Sequence, residues 1–186
     1  MSFAKALAAL SLVAFASSCG SSAAAGFSLS SADIAEGRPM SLKQEFNGFD
    51  GRGENLCPAL SWSQPPAGTK SFAVTVYDPD APTGSGWWHY LLVDLPADTR
   101  SLPQGFGTRP ELRPPQSREV RNDYGLLAYG GPCPPKGDKP HRYIFTVHAL
   151  KVDKLALPDG ASAALAGFMI NANCLGKASI TSVYGR

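Results

Sequence analysis

The chain has little charge of either sign and few of the side chains that bind metals. Charged residues make up 17% of its 186 residues, with 17 Lys and Arg against 15 Asp and Glu. A net charge of +2 gives no basis for nucleic-acid binding or for a general affinity for anionic membranes. Because the three histidines lack ligand-like spacing and no Cys-x-x-Cys pair occurs, we expect no metal site and no cofactor.

The motifs of the common enzyme classes are missing as well. The sequence has no P-loop, no dinucleotide fingerprint, no His-Glu-x-x-His and no Gly-x-Ser-x-Gly. The nearest candidate for a serine nucleophile, Ser85, stands in an ordinary turn sequence, Thr-Gly-Ser-Gly. We therefore predict a non-enzymatic protein without catalytic residues. The enzymatic alternative is a hydrolase that uses His89 or His141 together with Asp78.

A long apolar run occurs at the N-terminus. It extends from Ala6 to Ala16 and follows the basic residue Lys5. Eleven residues are too few to span a bilayer, and this arrangement is typical of the apolar region of a signal peptide. The pattern predicts an exported protein.

The residues after this run allow two exported forms. The sequence A-S-S-C, ending at Cys19, resembles a bacterial lipobox and predicts a signal peptide at 1–18, cleavage before Cys19 and acylation of Cys19 as the new first residue. Residues 19–26 would then be a flexible tether. Because Gly20 is not acidic, the expected location is the outer membrane, facing the periplasm. The alternative is a soluble periplasmic form cleaved at the A-A-A sequence of residues 23–25.

Export also determines what the remaining cysteines are expected to do. An oxidising compartment favours pairing among Cys57, Cys133 and Cys174. Cys57 and Cys133 both lie in proline-adjacent loops beside strands that we expect in one sheet, so we predict a Cys57–Cys133 disulfide. Cys174 falls in a helical pattern and is expected to remain a buried thiol.

Residues 27–186 have the size and pattern of one mainly β domain. Short apolar runs predict strands at Phe27–Leu29, Ala59–Trp62, Phe72–Tyr77, Tyr90–Leu95, Tyr143–Leu150 and Ala178–Tyr184. One helix is predicted from Ser162, its N-cap, to about Leu175, with a core-facing stripe formed by Leu165, Phe168, Met169, Ala172 and Leu175. These elements predict an antiparallel, sandwich-like core with a flanking C-terminal helix.

Two carboxylates and a histidine lie between two of the predicted strands. The sequence D-P-D-A-P occupies residues 78–82, and W-W-H-Y follows at 87–90. The prolines fix the backbone and stiffen the loop. Asp78, Asp80 and His89 are therefore expected at the rim of a pocket.

A second loop, rich in proline and glycine, repeats this pattern of a stiff loop followed by a histidine at the start of a strand. G-G-P-C-P-P-K-G occupies residues 130–137, and His141 follows at the start of the next strand. If both strands belong to one sheet, His89 and His141 point into the same pocket. Histidines and the backbone N–H groups of a glycine loop are donors suited to an anion.

The supporting side chains can be assigned in outline. The backbone at Gly131 can donate to an anion, and Tyr129 or Tyr184 can supply a hydroxyl. Asp78 is interpreted as the acceptor that fixes the tautomer of a histidine. His148, in mid-strand, is interpreted as structural.

The two motifs resemble those of the phosphatidylethanolamine-binding protein family, in particular its bacterial Raf-kinase-inhibitor-like branch. The segments N-G-F-D-G at 47–51 and P-A-L-S-W at 58–62 resemble the same branch, and the resemblance extends from about Phe27 to Tyr184. It implies a large central antiparallel sheet with a smaller sheet on one face and a helix on the other.

The resemblance also implies a function. It indicates a small pocket for phosphate or a phosphorylated head group, with site residues Asp78, Pro82, His89, Pro135 and His141. The expected protein is a binding module of the bacterial envelope whose partner is a small anion such as phosphate or phosphoethanolamine, with the membrane reached only through a lipid anchor. The alternative is an inhibitor or interaction protein that acts on an envelope or host hydrolase or kinase. A homodimer is left open.

Overall fold

The structure is a computed structural model that describes residues 26–186. The predicted signal peptide, the acylation of Cys19 and nearly all of the tether lie outside the described residues. Within residues 26–186, no helix combines the length and the apolar character needed to span a bilayer.

The described chain is mainly β, as predicted, and forms two antiparallel sheets. The smaller sheet has the order β1-β2-β5 and the larger one the order β6-β4-β3-β7-β8. The strands are β1 (Ser28–Ser30), β2 (Leu60–Ser63), β3 (Ser71–Asp78), β4 (Trp87–Pro96), β5 (Ser101–Leu102), β6 (Arg118–Glu119), β7 (His141–Leu150) and β8 (Cys174–Tyr184). Helix α1 spans Ala163–Asn173, and short 3-10 turns lie at Leu42–Gln44 and Pro110–Leu112.

The central strands are buried on both faces, which explains their nearly continuous apolar sequences. One core lies between the two sheets and contains Phe72, Tyr90 and Phe145. A second core lies between the large sheet and α1 and contains Leu91 and Ile170. Each large apolar side chain that is fully buried contributes about 1.5–3 kcal/mol, so the two cores together hold the sheet in place.

The predicted helix exists, but of its predicted core-facing stripe only Met169 packs against the core. Ser162 caps it as expected, because its Oγ accepts a hydrogen bond from the N–H of Leu165 at 3.2 Å. The buried face consists of Ala163, Ala166 and Ile170, whereas Phe168 is 67% exposed.

Close packing explains which face is buried. A Cβ placed on Gly167 would lie 3.2 Å from the Trp88 ring, so the helix approaches the sheet through small residues. Leu165 and Phe168 therefore face outward, while Ile170 packs into the core. The helix ends at Asn173 rather than Leu175, because β8 begins at Cys174 and pairs with β7 from there.

Candidate functional site

A cavity of about 180 Å³ opens at one end of the large sheet. Antiparallel pairing brings the end of β3 together with the starts of β4 and β7 at this end. Loops from distant parts of the chain complete the wall. The lining residues are Phe49, Asp78, Ala81, Pro82, Thr83, Trp87, His89, Tyr124, Cys133, Pro134, Pro135, His141 and Tyr143.

Asp78 and His141 form a buried pair in this cavity. The Nδ1 atom of His141 donates to Asp78 Oδ2 at 2.8 Å, and Asp78 is only 2% exposed. The other carboxylate oxygen accepts from the backbone N–H groups of Asp80 at 2.8 Å and Ala81 at 3.1 Å. Asp78 therefore fixes both the histidine tautomer and the turn that follows β3. The Nε2 atom of His141 remains for a ligand, and lies 3.7 Å from Asp138 Oδ2.

His89 is held by a backbone carbonyl and by two tyrosine rings, whereas His141 is held by a carboxylate. Its Nδ1 lies 2.7 Å from the carbonyl oxygen of Gly130, which can only accept, so Nδ1 carries the proton. Its ring makes edge contacts with Tyr124 and Tyr143, at centroid distances of 5.5 and 5.1 Å. Burial lowers the pKa of His89 to about 4. At neutral pH the ring is therefore uncharged.

Sequence reasoning missed several of the aromatic side chains that line the cavity, namely Phe49, Tyr124 and Tyr143. Tyr124 lies in a segment without periodicity, and its hydroxyl donates to the Gly131 carbonyl at 2.9 Å. The neighbouring Asp123 holds this segment against the start of β4 by accepting from the Trp88 N–H at 2.7 Å. In the sequence, the only sign of the role of Tyr124 was that this single tyrosine is surrounded by turn-forming residues. Trp87 also lines the cavity, and its buried Nε1–H has no hydrogen-bond partner within residues 26–186.

The hydroxyl donors suggested by the sequence lie elsewhere. Tyr129 is buried in the core between the sheets, and the Tyr184 hydroxyl donates to Glu45 Oε2. Neither lines the cavity. His148 is buried in mid-strand, where its Nε2 lies 3.0 Å from Thr75 Oγ1.

Comparisons with known proteins show the family of the chain. A family model described as phosphatidylethanolamine-binding protein matches residues 30–185. The chain belongs to the phosphatidylethanolamine-binding protein family. Escherichia coli YbcL is 50% identical over 165 residues, which cover 88% of this chain and 90% of that protein. LppC of Mycobacterium tuberculosis, named as a candidate lipoprotein, is 32% identical over 162 residues, covering 87% of this chain and 74% of that protein.

Solved structures extend the similarity to the fold. The crystal structure of Escherichia coli YbcL matches with a TM-score of 0.83 at 49% identity, covering 87% of this chain and 99% of that one. A phosphatidylethanolamine-binding protein homologue from Chlamydia trachomatis matches with a TM-score of 0.71 at 26% identity, covering 87% of this chain and 98% of that one.

In this family member, five of the seven ligand-binding residues predicted from the sequence meet at the cavity: Asp78, Pro82, His89, Pro135 and His141. Asp80 lies outside the lining. Its two oxygens bind the Arg142 guanidinium at 2.7 and 2.8 Å, and this partner lowers the pKa of Asp80 to about 2.

Gly131 also lies outside the lining, behind the cavity wall. Its N–H donates to Asn55 Oδ1 at 2.7 Å, so it is not available to a ligand. A Cβ at this position would lie 2.0 Å from the Gln44 carbonyl oxygen. Glycine is therefore required by close backbone packing.

The predicted Cys57–Cys133 disulfide is wrong, because both thiols are free in the structure. Cys57 is fully buried in the core between the sheets, whereas Cys133 is half-buried in the cavity wall, with its sulfur 3.8 Å from the Gly48 and Phe49 carbonyl oxygens. Two proline-rich loops beside the same sheet can therefore place their cysteines in different parts of the fold, here the core and the cavity wall. Cys174 is half-buried at the start of β8 and not inside the helix.

This arrangement predicts different reactivities for the two thiols. We expect iodoacetamide to modify Cys133 of the native protein at least about 10-fold faster than Cys57, because burial of Cys57 excludes the reagent and raises the pKa of its thiol well above the usual value. Peptide mass spectrometry of protein alkylated before and after denaturation measures both rates. Recovery of a disulfide-linked Cys57–Cys133 peptide from unreduced protein would contradict the structure.

Proposed function

We propose that this protein binds a small phosphate-bearing anion, such as a phosphoethanolamine head group, without catalysing a reaction on it. The observation that carries the proposal is the meeting of His89, His141 and the buried Asp78 at one small cavity. A volume of 180 Å³ corresponds to about six water molecules, which suits a head group rather than acyl chains.

The hydrogen-bond donors available in the cavity support a proton-linked mode of binding. The Nδ1 protons of both histidines are already donated to Asp78 and Gly130. Each Nε2 atom becomes a donor only when its ring takes up a proton. An anion would therefore draw a proton into the site or arrive carrying one.

A binding role fits the side chains of the cavity better than hydrolysis does. The Thr83 hydroxyl is already donated to the Gly86 carbonyl, and burial raises the pKa of the Cys133 thiol, which disfavours the reactive thiolate. No activated nucleophile accompanies the Asp78–His141 pair within the described residues. We expect no turnover of chromogenic phosphate or carboxylate esters.

We further propose that the protein acts in the bacterial envelope, held there by an acylated Cys19. Two observations support this location: the apolar segment followed by a lipobox-like sequence, and the candidate-lipoprotein name of the LppC relative. Mass spectrometry of protein from the native envelope tests it, because an N-terminus near Gly26 without acyl chains would indicate the soluble periplasmic form instead.

Calorimetric titration with phosphoethanolamine tests the binding proposal. Affinity should rise as pH falls from about 7 to about 5, by up to about 10-fold per pH unit for each proton taken up. Binding should be lost in His141→Ala and retained in His148→Gln, a matched control that alters the histidine outside the cavity. A parallel titration with inorganic phosphate shows whether the ethanolamine group contributes. Affinity that is independent of pH and unchanged in His141→Ala would refute the proposal.

A further inference from the structure

The low net charge of the chain conceals an uneven distribution of charge. Ser71 pairs with Leu150, and Leu150 with Cys174, at the end of the large sheet opposite the cavity. We call this the distal end, and it comprises the segments 65–71, 96–100 and 150–154 and the start of β8 at 174–177.

The distal end carries more basic than acidic side chains. The basic residues there are Lys70, Arg100, Lys151, Lys154 and Lys177, against the acidic residues Asp98 and Asp153. The four lysines are exposed, and none forms an ion pair with another described residue. At the cavity end, by contrast, Lys136 and Arg186 both pair with Asp50, and Arg142 pairs with Asp80.

An exposed apolar strip runs towards the distal end. Leu165 and Phe168 lie on the outward face of α1, with 38% and 67% of their surface exposed. Ala172 continues this face one turn later, and Leu175, 40% exposed, follows at the start of β8. Large exposed apolar patches mark interaction sites, and an apolar helix face flanked by lysines is a form that membrane-surface contacts take.

The chain also enters the domain at this end. A Cβ placed on Gly176 would lie 3.8 Å from Phe27 Cδ1, so the first residues of the described domain lie beside the start of β8. Eight residue steps separate Phe27 from Cys19, which is at most about 29 Å of chain. In the lipid-anchored form proposed above, the anchor would therefore keep the distal end close to the bilayer.

We propose that the distal end and the outward face of α1 dock onto an anionic membrane surface. Lys70, Lys151 and Lys177 meet the lipid phosphates, while Phe168 and Leu175 enter the interfacial region. The cavity then opens away from that membrane, at the other end of the β3 strand. Docking depends on the distal surface and not on the cavity, so it holds whether or not phosphoethanolamine binds.

Vesicle co-sedimentation tests this inference with the processed chain from residue 19 carrying Cys19→Ser, so that neither the apolar segment Ala6–Ala16 nor an acyl chain contributes. Partitioning onto phosphatidylcholine vesicles is compared with partitioning onto vesicles in which phosphatidylglycerol replaces a third of the lipid. We expect preference for the anionic vesicles, weakening with added salt. Lys151→Glu/Lys177→Glu should lower that partitioning by at least about 25-fold, because each lysine near an anionic surface raises the partition coefficient by about 5-fold. Phe168→Ser should lower it by about 10-fold.

The matched control is Lys43→Glu/Lys139→Glu, which makes the same charge change with two exposed lysines at the cavity end. It should change partitioning by less than about 3-fold, since those lysines do not face the membrane. Equal losses in the two double variants, or no preference for anionic lipid, would overturn the proposal. So would sedimentation equilibrium showing a lipid-free dimer that Phe168→Ser converts to a monomer, because a second copy would then cover the strip.

Discussion

Replacing Asp78 by alanine is expected to lower the free energy of unfolding by about 3–5 kcal/mol. The carboxylate is buried and accepts three hydrogen bonds, from His141 Nδ1 and from the N–H groups of Asp80 and Ala81. Alanine would leave all three donors without protein partners at a buried position, where each unsatisfied group costs about 1–3 kcal/mol before relaxation. The urea midpoint of unfolding measures the loss, provided that the denaturant slope is unchanged.

Asp80→Ala is the matched control for this variant. It removes the same group two residues later in the same loop, but Asp80 binds the largely exposed Arg142 side chain. Surface ion pairs of this kind contribute about 0–1 kcal/mol, so the variant should remain close to the parent in stability. If the two variants were equally stable, Asp78 would not be the buried acceptor that organises the cavity.

Acidification from about pH 6.5 to about pH 4.5 is expected to remove about 5 kcal/mol of stability through two buried histidines. Burial lowers the pKa of His89 to about 4 and that of His148 to about 3. In the unfolded chain both rings take up protons below about pH 6.5, while in the folded protein they stay neutral. Stability is therefore full above that pH and falls as pH decreases, by about 1.4 kcal/mol per pH unit for each histidine.

Urea unfolding at several pH values between these limits measures this slope. The variant His148→Gln keeps a polar partner for Thr75 but no longer titrates, so the slope assigned to the two rings should fall by about half. Because the carboxylates protonate mainly at lower pH, the histidines dominate the change in stability over most of this window. A stability that stays flat across the window would mean that the rings titrate as freely in the folded protein as in the unfolded chain.

The sequence predicted the central sheet well because burial on both faces leaves a strong apolar signal. The runs Phe72–Tyr77, Tyr90–Leu95 and Tyr143–Leu150 lie inside β3, β4 and β7, with the boundaries extended by a few residues. The two-residue strand β6 was missed because its residues, Arg118 and Glu119, carry no apolar alternation.

The orientation of α1 could not be obtained from periodicity. Two stripes on this helix are apolar: a stripe of mostly small residues, Ala163, Ala166 and Ile170, and a stripe of large residues, Leu165 and Phe168. Hydrophobicity favours the large stripe for the core, but Trp88 leaves room only for the small one. Which helix face is buried depends on the shape of a side chain far away in the sequence, and the local pattern of apolar residues in the helix contains no information about it.

The candidate site was predictable where a motif places a chemical group at the end of a strand. The motif residues Asp78, His89 and His141 meet because antiparallel neighbours bring their strand ends together. Tyr124 was not predictable, since it reaches the cavity from a non-periodic loop that is held by hydrogen bonds of Asn122 and Asp123 with residues distant in sequence. The predicted Cys57–Cys133 disulfide was wrong for a related reason. A loop residue can point towards the core between the sheets or towards the cavity wall, and the sequence does not say which.

The pairing of β3 with β7 has a kinetic consequence. Tyr77 pairs with Ile144, although β4 and the long connection to His141 lie between these strands in the chain. Such non-local contacts give a high contact order and folding times of milliseconds to seconds. The cavity is lined from both strands, so it exists only after this ladder has closed. A molecule held there should therefore slow unfolding while leaving the refolding rate unchanged.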